Sequence, residues 1–410
     1  MQISVDYTFN AAAAIAASAA YGGGIRLMQL ARTSWSFTPQ AELQVPPDTL
    51  WSRASPAVVP GFSAVCWFML RDIYDALNGT SAAVPLAGIS ANWGATSIQT
   101  WSGPAACAAC GGCPPSYNGW VPPGPTHPGN TSVLRNAMLL PFMGPASASP
   151  AARYPASGVA WYQGEDNAMA MQADYYACAV RELAAEMRTA FGSPRLWFGV
   201  VQLAPWTGNA TALGFAVGAL RRAQQAGVAA GGADMSIVTA ADVGDPLSSQ
   251  VIHPRNKATP GARLARAALS VRYNRSDLAA QGPVAVSATS VTQGRYTNVT
   301  VAFEAASVVG GLHLTPPTAG DYFSYCPVEL HVPADNCAWY HVRTLSDQVF
   351  NATAYITGGG DTLTLAIDTY PAIRLAVAET FAGDGLWPVM GLRNAAGFPA
   401  FPFRLPVTPA

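Results

Sequence analysis

The sequence predicts an α/β fold, with a parallel sheet between helices on both faces, followed by an antiparallel β unit. Over about the first 270 residues, short apolar strands alternate with helical stretches, a pattern typical of a sheet buried on both faces. Polar clusters directly follow three of these strands, at the edge where α/β sheets hold their ligands. After about residue 280 the apolar stretches become β-branched and are separated by turn residues, which predicts antiparallel strands.

Four strands and four helices make up the predicted parallel part. The strands are Pro85–Ser90, Gly158–Tyr162, Leu196–Leu203 and Met235–Ala240, and the helices are Ala64–Asn78, Gln172–Phe191, Leu213–Gly227 and Thr259–Tyr273. The antiparallel unit has predicted strands at Val284–Thr292, Thr297–Phe303, Thr353–Ile356 and Thr362–Ile367. We therefore predict an α/β domain over residues 1–275 and a β-rich domain over 276–410. The tail at Phe401–Leu405 either stays in the β-rich domain or returns to the first domain.

The composition excludes several classes of protein. Half of the residues are hydrophobic and 11% are charged, which is too apolar for a disordered chain. The formal net charge of −1 gives no basic surface for nucleic acid or acidic lipid. No window reaches about 18 strongly apolar residues, so a membrane span is not predicted either.

The seven cysteines indicate disulfides rather than a metal site. Cys107, Cys110 and Cys113 lie close together, but structural zinc needs four ligands, and no histidine or second Cys-x-x-Cys pair is near. We expect one of these three to pair elsewhere and Cys326 to pair with Cys337.

Asparagine acceptor sites point to the secretory pathway. The motif Asn-x-Ser/Thr occurs at Asn78, Asn130, Asn209, Asn274, Asn298 and Asn351. Chance in a Thr-rich chain is the alternative explanation, but the motifs and the cysteines together predict a secreted or lysosomal glycoprotein. The first ten residues contain no Lys or Arg and therefore do not resemble a signal peptide.

A histidine and an aspartate suggest hydrolytic chemistry. His253 follows a strand whose end carries Asp242, and an imidazole oriented by a carboxylate is the general base of a catalytic triad. The alternative is a loop histidine paired with any nearby acid.

Two further polar clusters supply candidate oxyanion donors. One runs from Gln163 through Glu165 to Asn167, and the other is Asn92–Thr96, which contains Gly94. Their alternative interpretations are a helix cap and a tight turn. No Gly-x-Ser-x-Gly elbow marks a nucleophile, and no metal-hydrolase motif is present, so neither metal nor cofactor is predicted.

Several blocks resemble the sialate O-acetylesterases of the SGNH-hydrolase group. They are AVCW at 64–67, ISANWGATSIQTW at 89–101, SVLRNAM at 132–138, WYQGEDNA at 161–168, VVQL at 200–203, IHPRNK at 252–257 and GFPAFPFR at 397–404. The resemblance implies a three-layer α/β/α hydrolase domain with an associated β domain. It also implies removal of acetyl esters from sialic acids or related sugars by Ser-His-Asp chemistry, without a metal.

The resemblance assigns roles to individual residues. His253 would be the base and Asp242 the carboxylate that orients it, while Gly94 and Gln163 would be the oxyanion donors. The residues expected to bind substrate are Trp93, Trp101 and Glu165. This chain departs from the family pattern at Gln250, where the wider group often has its acid. It also departs at Ala95, where the family often has a second glycine, and at Asp166, where serine or another small residue is usual.

The largest departure concerns the nucleophile. In the family, the serine lies in a Gly-Gln-Ser-Asn block that is typically followed by Met, and Met1-Gln2 matches the residues just after that block. The chain is therefore expected to begin just past its serine and its first strand. A truncated sequence and a genuine inactive form both remain open. So do an acetylesterase of other polysaccharides and a glycan-binding homologue without activity.

Overall fold

The computed structural model describes most of the chain. It covers residues 1–115, 131–143, 155–206, 211–245, 247–248, 252–275, 277–278, 280–314, 340–346, 348–368, 375–380 and 391–410. Outside the described residues lie the predicted Cys326–Cys337 disulfide, Asn130, Asn209 and Gln250, and the side chain of Asn351 is also not described.

Eight α-helices and fifteen strands are found in the described part of the chain. The helices are α1 Ala11–Ala17, α2 Ala64–Leu77, α3 Pro104–Ala109, α4 Leu140–Met143, α5 Glu165–Met169, α6 Ala173–Ala190, α7 Thr211–Ala230 and α8 Ala258–Arg272. The strands are β1 Ile25–Gln29, β2 Thr49–Arg53, β3 Leu86–Ser90, β4 Gly158–Trp161, β5 Trp197–Gln202, β6 Met235–Thr239, β7 Ala285–Gln293, β8 Tyr296–Phe303, β9 Leu312–Leu314, β10 Tyr340–Thr344, β11 Val349–Thr357, β12 Thr362–Asp368, β13 Leu375–Thr380, β14 Leu392–Asn394 and β15 Arg404–Pro409. Among the described residues, none of these helices is long and apolar enough to cross a bilayer.

The chain divides into two compact units. The first comprises residues 1–203, 219–240 and 245–280, and the second comprises 204–218, 241–244 and 281–410. The first unit holds two three-stranded sheets, ordered β2-β1-β3 and β4-β5-β6. Every neighbouring pair in these sheets is parallel except β1 and β2. The predicted α/β fold is therefore observed in this unit.

The surroundings of strand β5 explain why its sequence is apolar except for the final Gln202. All six of its residues are buried, because helices cover both of its faces. The Gly199 position faces Leu264 of α8, while Gln202 on the opposite face donates to the carbonyl oxygen of Arg221 in α7. Successive side chains of a strand point to opposite faces, so the two helices must lie on opposite sides of the sheet.

Two glycines set how closely the helices of the first unit approach each other. A Cβ at Gly261 of α8 would meet the backbone of α2 at the Val65 oxygen, 3.1 Å away. A Cβ at Gly227 of α7 would meet the Ala177 oxygen of α6 at 2.5 Å. Neither position has room for a side chain, so the small residue is what allows each pair of helices to pack.

The second unit contains a closed barrel. Its strand order is β10-β11-β12-β8-β7-β15-β13. Its core consists of alternate residues of these strands, such as Val299, Val301, Leu363 and Leu365. The pairs are antiparallel, as predicted, except that β15 runs parallel to β7. The chain thus ends as a strand of the barrel, because β15 pairs with both β7 and β13.

Candidate active site

A cavity of about 680 Å³ lies within the first unit, between β3 and β4. Two polar loops border it, one following the carboxyl end of β3 and one following that of β4. This is the edge at which parallel α/β sheets bind ligands. All the residues predicted for catalysis and substrate binding line this cavity except Asp242: His253, Gly94, Gln163, Trp93, Trp101 and Glu165.

The loop that carries His253 is held by an ion pair. The Asp245 carboxylate accepts from the Arg255 guanidinium at 2.7 and 3.0 Å and from the Arg255 backbone N–H at 3.1 Å. The guanidinium keeps the pKa of the Asp245 carboxyl below its usual value. Ser248 donates to the His253 carbonyl oxygen at 2.9 Å, which holds the backbone of the histidine itself.

Burial and neighbouring charges set the protonation of His253. Burial lowers the pKa of its imidazole, and the Glu165 carboxylate opposes this shift. The Lys257 ammonium and the amino group of Met1 lower the same pKa further. The imidazole is therefore neutral at neutral pH, which is the form that a general base requires.

Lys257 is a site residue that the sequence analysis did not single out. Its side chain lies in the same cavity, with Nζ 5.2 Å from the centre of the Tyr162 ring, and the residue is 4% exposed. Burial lowers its pKa to about 8, although the Glu165 carboxylate raises it. Its position four residues after His253 in the IHPRNK block was the available signal, because α8 begins directly after it.

The backbone N–H of Gly94 points at an acceptor inside the cavity. It donates to Oε1 of Gln2, and its role as an oxyanion donor stays a prediction. The next residue, Ala95, has a φ of 55° in the left-handed region. A glycine adopts this conformation without strain, which explains physically why a glycine is usual at this position.

Gln163 is more constrained than its predicted oxyanion role requires. Its Nε2 donates to the Thr96 carbonyl oxygen at 2.9 Å and to Oδ1 of Asn167 at 2.8 Å, and its Oε1 accepts from Tyr176 at 2.9 Å. The side chain therefore braces the loop after β3 against the loop after β4. Its donation to an oxyanion stays a prediction.

Asn167 connects the two polar loops. In the sequence analysis it was named only as the end of the polar cluster that begins at Gln163. It is fully buried; its Oδ1 accepts from the Ile98 backbone N–H at 2.9 Å, and its Nδ2 donates to Gln99 at 3.0 Å and Gln172 at 2.8 Å. A buried amide with these partners fixes the relative position of the loops.

The remaining predicted binding residues differ in exposure. Trp101 is 4% exposed, and its Nε1 donates to Thr96 at 3.0 Å, so it forms part of the cavity wall. Trp93 and Glu165 are half-buried.

Asp242 lies in the second unit, where its carboxylate accepts from the Arg393 guanidinium at 3.2 Å. Its pairing with His253 stays a prediction.

Two disulfides cross-link the segment that follows the polar loop after β3. Cys107 pairs with Cys113 and Cys110 with Cys178, which joins the end of α3 to α6. The prediction that one cysteine of the 107–113 group pairs elsewhere is confirmed.

No group of three metal-ligating side chains occurs among the described residues. Cys66 has a free thiol in the cavity wall, and burial raises its pKa.

Comparisons with known proteins agree with the resemblance noted in the sequence. Residues 143–270 match the family model described as "Carbohydrate esterase, sialic acid-specific acetylesterase". The chain is 30% identical to the sialate O-acetylesterase of Rattus norvegicus, with 69% of this chain and 57% of that protein covered. The Homo sapiens sialate O-acetylesterase is also 30% identical, over 69% of this chain and 54% of that protein. The chain thus spans little more than half the length of these relatives.

A solved structure supports the fold. The crystal structure of a carbohydrate acetylesterase from Xanthomonas citri superposes with a TM-score of 0.73 at 23% identity, covering 98% of this chain and 78% of that chain. The predicted resemblance to sialate O-acetylesterases and the predicted α/β fold class are both confirmed by these matches.

Proposed function

We propose that this protein acts as a carbohydrate O-acetylesterase that removes acetyl esters from sialic acids or related sugars. The observation that carries the proposal is the juxtaposition, in one cavity, of the half-buried His253, whose pKa is lowered, and the backbone N–H of Gly94, which points at an acceptor in that cavity. The match of residues 143–270 to the carbohydrate esterase family supports it.

In this proposal a serine hydroxyl attacks the acetyl carbonyl while His253 takes the hydroxyl proton. The Ser–O–acetyl bond forms, and the oxyanion is stabilised by the Gly94 N–H in the place now held by Gln2. The bond from the carbonyl carbon to the sugar oxygen then breaks, and His253 returns the proton to that oxygen. Water, activated by the same histidine, releases acetate from the acyl-enzyme.

The serine is proposed to come from a Gly-Gln-Ser-Asn segment placed directly before Met1. The backbone nitrogen of Met1 lies 3.3 Å from the Tyr162 carbonyl oxygen, and Met1 and Gln2 line the same cavity as His253. A residue immediately before Met1 would therefore enter the site. Asp242 is proposed to orient His253, and Trp93 and Glu165 to contact the sugar.

The test compares two N-terminal extensions, one ending in Gly-Gln-Ser-Asn before Met1 and one ending in Gly-Gln-Ala-Asn. We expect acetate release from 4-nitrophenyl acetate and O-acetylated sialic acid only with serine, and loss of this activity with His253→Ala. Equal rates for the serine and alanine forms would reject the esterase. Binding of acetylated sugars without turnover would instead favour the glycan-binding alternative.

Acetylated sialic acids and other acetylated polysaccharides carry the same reacting group, the acetyl ester. A panel of acetylated substrates is therefore needed to tell which sugar the enzyme acts on. Glu165 lines the cavity and Asp166 is 3% exposed beside it. These acids disfavour a substrate carboxylate, whereas Lys257 favours one. Comparing kcat/KM for acetylated sialic acid and acetylated xylan in the serine-bearing form, with Lys257 intact and with Lys257→Met, decides between them.

Localisation in the secretory pathway, secreted or lysosomal, is part of the same proposal. Asn78, Asn274 and Asn298 are exposed, as acceptor asparagines must be, and two disulfides are present.

A further inference from the structure

One of the predicted acceptor asparagines lies within a strand of the barrel rather than on a loop. Asn298, Val299 and Thr300 belong to β8, and successive side chains of a strand point to opposite faces. Val299 is buried in the barrel core, so Asn298 and Thr300 lie together on the outer face. The Asn298 side chain is exposed there and makes no hydrogen bond within the described part of the chain.

Paired strands surround this asparagine on both sides. Asn298 lies opposite Val291 of β7 and opposite Ala366 of β12, and β12 in turn pairs with β11. Neighbouring strands are about 4.8 Å apart. A sugar attached to Asn298 would therefore leave the chain above the interior of a four-stranded surface, which we call the outer barrel face.

The outer barrel face carries no charge. Residues 287–293, 296–302, 353–357 and 362–366, whose alternate side chains form it, contain no Asp, Glu, Lys, Arg or His. Hydroxyl groups predominate among the outward-pointing side chains. The row that crosses all four strands beside Asn298 consists of Tyr355, Thr364, Thr300 and Thr289.

Two tyrosines project from the same face. Tyr296 is 59% exposed and lies two residues before Asn298, and Tyr355 is 53% exposed on β11. Tyr355 is two strands away from β8, a distance of about 10 Å. Sugars present hydroxyl groups and uncharged C–H faces, which match neutral hydroxyls and the apolar bodies of tyrosine rings. The composition of the outer barrel face therefore suits a carbohydrate.

We propose that the outer barrel face is covered by the protein's own N-linked glycan at Asn298, whose first sugars lie across β12 towards Tyr355. The attachment point selects this occupant, because a tethered glycan has a high effective concentration at the surface around it. The inference rests on the proposed secretory location and not on the esterase reaction.

Attachment requires a lipid-pyrophosphate-linked oligosaccharide as the donor. A bond forms between Nδ2 of Asn298 and C1 of the first sugar, and the bond from C1 to the pyrophosphate oxygen breaks. The amide loses one proton, and the lipid pyrophosphate leaves with the electron pair. Thr300 completes the acceptor motif that this transfer needs.

The test expresses the chain in a secretory host and measures nitration of Tyr355 by tetranitromethane, located by mass spectrometry. We expect wild type to react about fivefold more slowly than Asn298→Gln, the factor that one net hydrogen bond to the face supplies. Thr300→Ser keeps the acceptor motif and should match wild type. Asn78→Gln removes a glycan from the end of α2 and should also match wild type.

Equal nitration of Tyr355 in glycosylated wild type and in Asn298→Gln would overturn the proposal. Protection of Tyr355 within a dimer of Asn298→Gln would assign the face to a second copy of the chain instead. An unmodified Asn298 beside glycosylated Asn78 and Asn274 would reject this inference alone. Absence of glycan at every site would reject the secretory location as well.

A second measurement avoids any folding defect of Asn298→Gln. The glycans of the folded wild type are removed enzymatically, and we expect the Asn298 glycan to leave about fivefold more slowly than the Asn78 glycan. Nitration of Tyr355 should then rise to the rate found for Asn298→Gln. Release of both glycans at one rate, with nitration unchanged, would show that the sugars do not cover the face.

Discussion

At the scale of single residues, the candidate site is organised by charge and by hydrogen bonds that cross long stretches of sequence. Burial lowers the pKa of His253, and the Glu165 carboxylate and the Lys257 ammonium act on the same pKa in opposite directions. Gln2 and Gly94, far apart in the chain, share a hydrogen bond at the proposed oxyanion position. Each of these contacts can be tested by a single substitution in the serine-bearing form.

The pH dependence of activity should reflect the lowered pKa of His253. The neutral imidazole is the active form, so kcat/KM should fall only as the pH drops below the ordinary histidine value of 6.5. Glu165→Gln removes the charge that raises this pKa and should move the acid midpoint lower still. The measurement is a pH profile of kcat/KM, and a midpoint at or above 6.5 would contradict the assignment.

Gln2 is expected to compete with the substrate for the Gly94 N–H. A neutral hydrogen bond is worth about 0.5–1.5 kcal/mol, so Gln2→Ala should lower KM by up to about tenfold. Gln2→Glu keeps an acceptor at the same position and serves as the matched control. An unchanged KM in Gln2→Ala would show that Gln2 does not occupy the substrate's place.

The carboxylate that orients His253 can be identified by a pair of substitutions. Asp242→Asn should reduce kcat by about 10⁴, as loss of the orienting acid does in other triads, while leaving KM nearly unchanged. Glu165→Gln, in contrast, should mainly change KM for the sugar. The reverse pattern would transfer the orienting role to Glu165.

At the scale of elements, the helices of the first unit are held to one another by close packing at glycines and by a disulfide. Helices α2 and α8 approach through Gly261, and α6 and α7 through Gly227. The Cys110–Cys178 disulfide then ties the end of α3 to α6. These contacts hold the framework from which the polar loops after β3 and β4 project.

The two disulfides should contribute unequally to stability. Cross-linking restricts the unfolded chain more for a longer loop, so the pair 68 residues apart should matter more than the pair 6 apart. The loop-entropy relation gives about 4 kcal/mol for Cys110–Cys178 and about 2 kcal/mol for Cys107–Cys113. Denaturant unfolding of the two double-alanine variants tests this, and an equal loss would show that loop entropy does not determine their contribution.

At the scale of the whole molecule, the chain combines an α/β unit that holds the site with a unit built around a closed barrel. Only 11% of its residues are charged. Attached sugars would add polar surface to such a chain. The exposed acceptor asparagines therefore bear on its solution behaviour as well as on its location.

Glycosylation is expected when the chain is expressed through a secretory host. Asn78, Asn274 and Asn298 are exposed and should each carry a glycan. Mass spectrometry before and after enzymatic deglycosylation measures this, with the three single Asn→Gln variants as controls. Unmodified asparagine at all three positions would argue against the secretory assignment.

The sequence alone determined the elements of the α/β unit and the residues that border its site. Strands β3 to β6 and helices α2, α6, α7 and α8 lie within a few residues of their predicted bounds, because periodicity and apolar runs are local properties. His253, Gly94, Gln163, Trp93, Trp101 and Glu165 all line one cavity, since loops after parallel strands converge at one edge.

Only the tertiary structure decided which groups meet within that edge. Three contacts join residues that no local pattern connects. They are the hydrogen bond from Gly94 to Gln2, the contact of Lys257 with the Tyr162 ring, and the disulfide between Cys110 and Cys178. Such contacts depend on how distant segments pack, and that is determined by the folded chain as a whole.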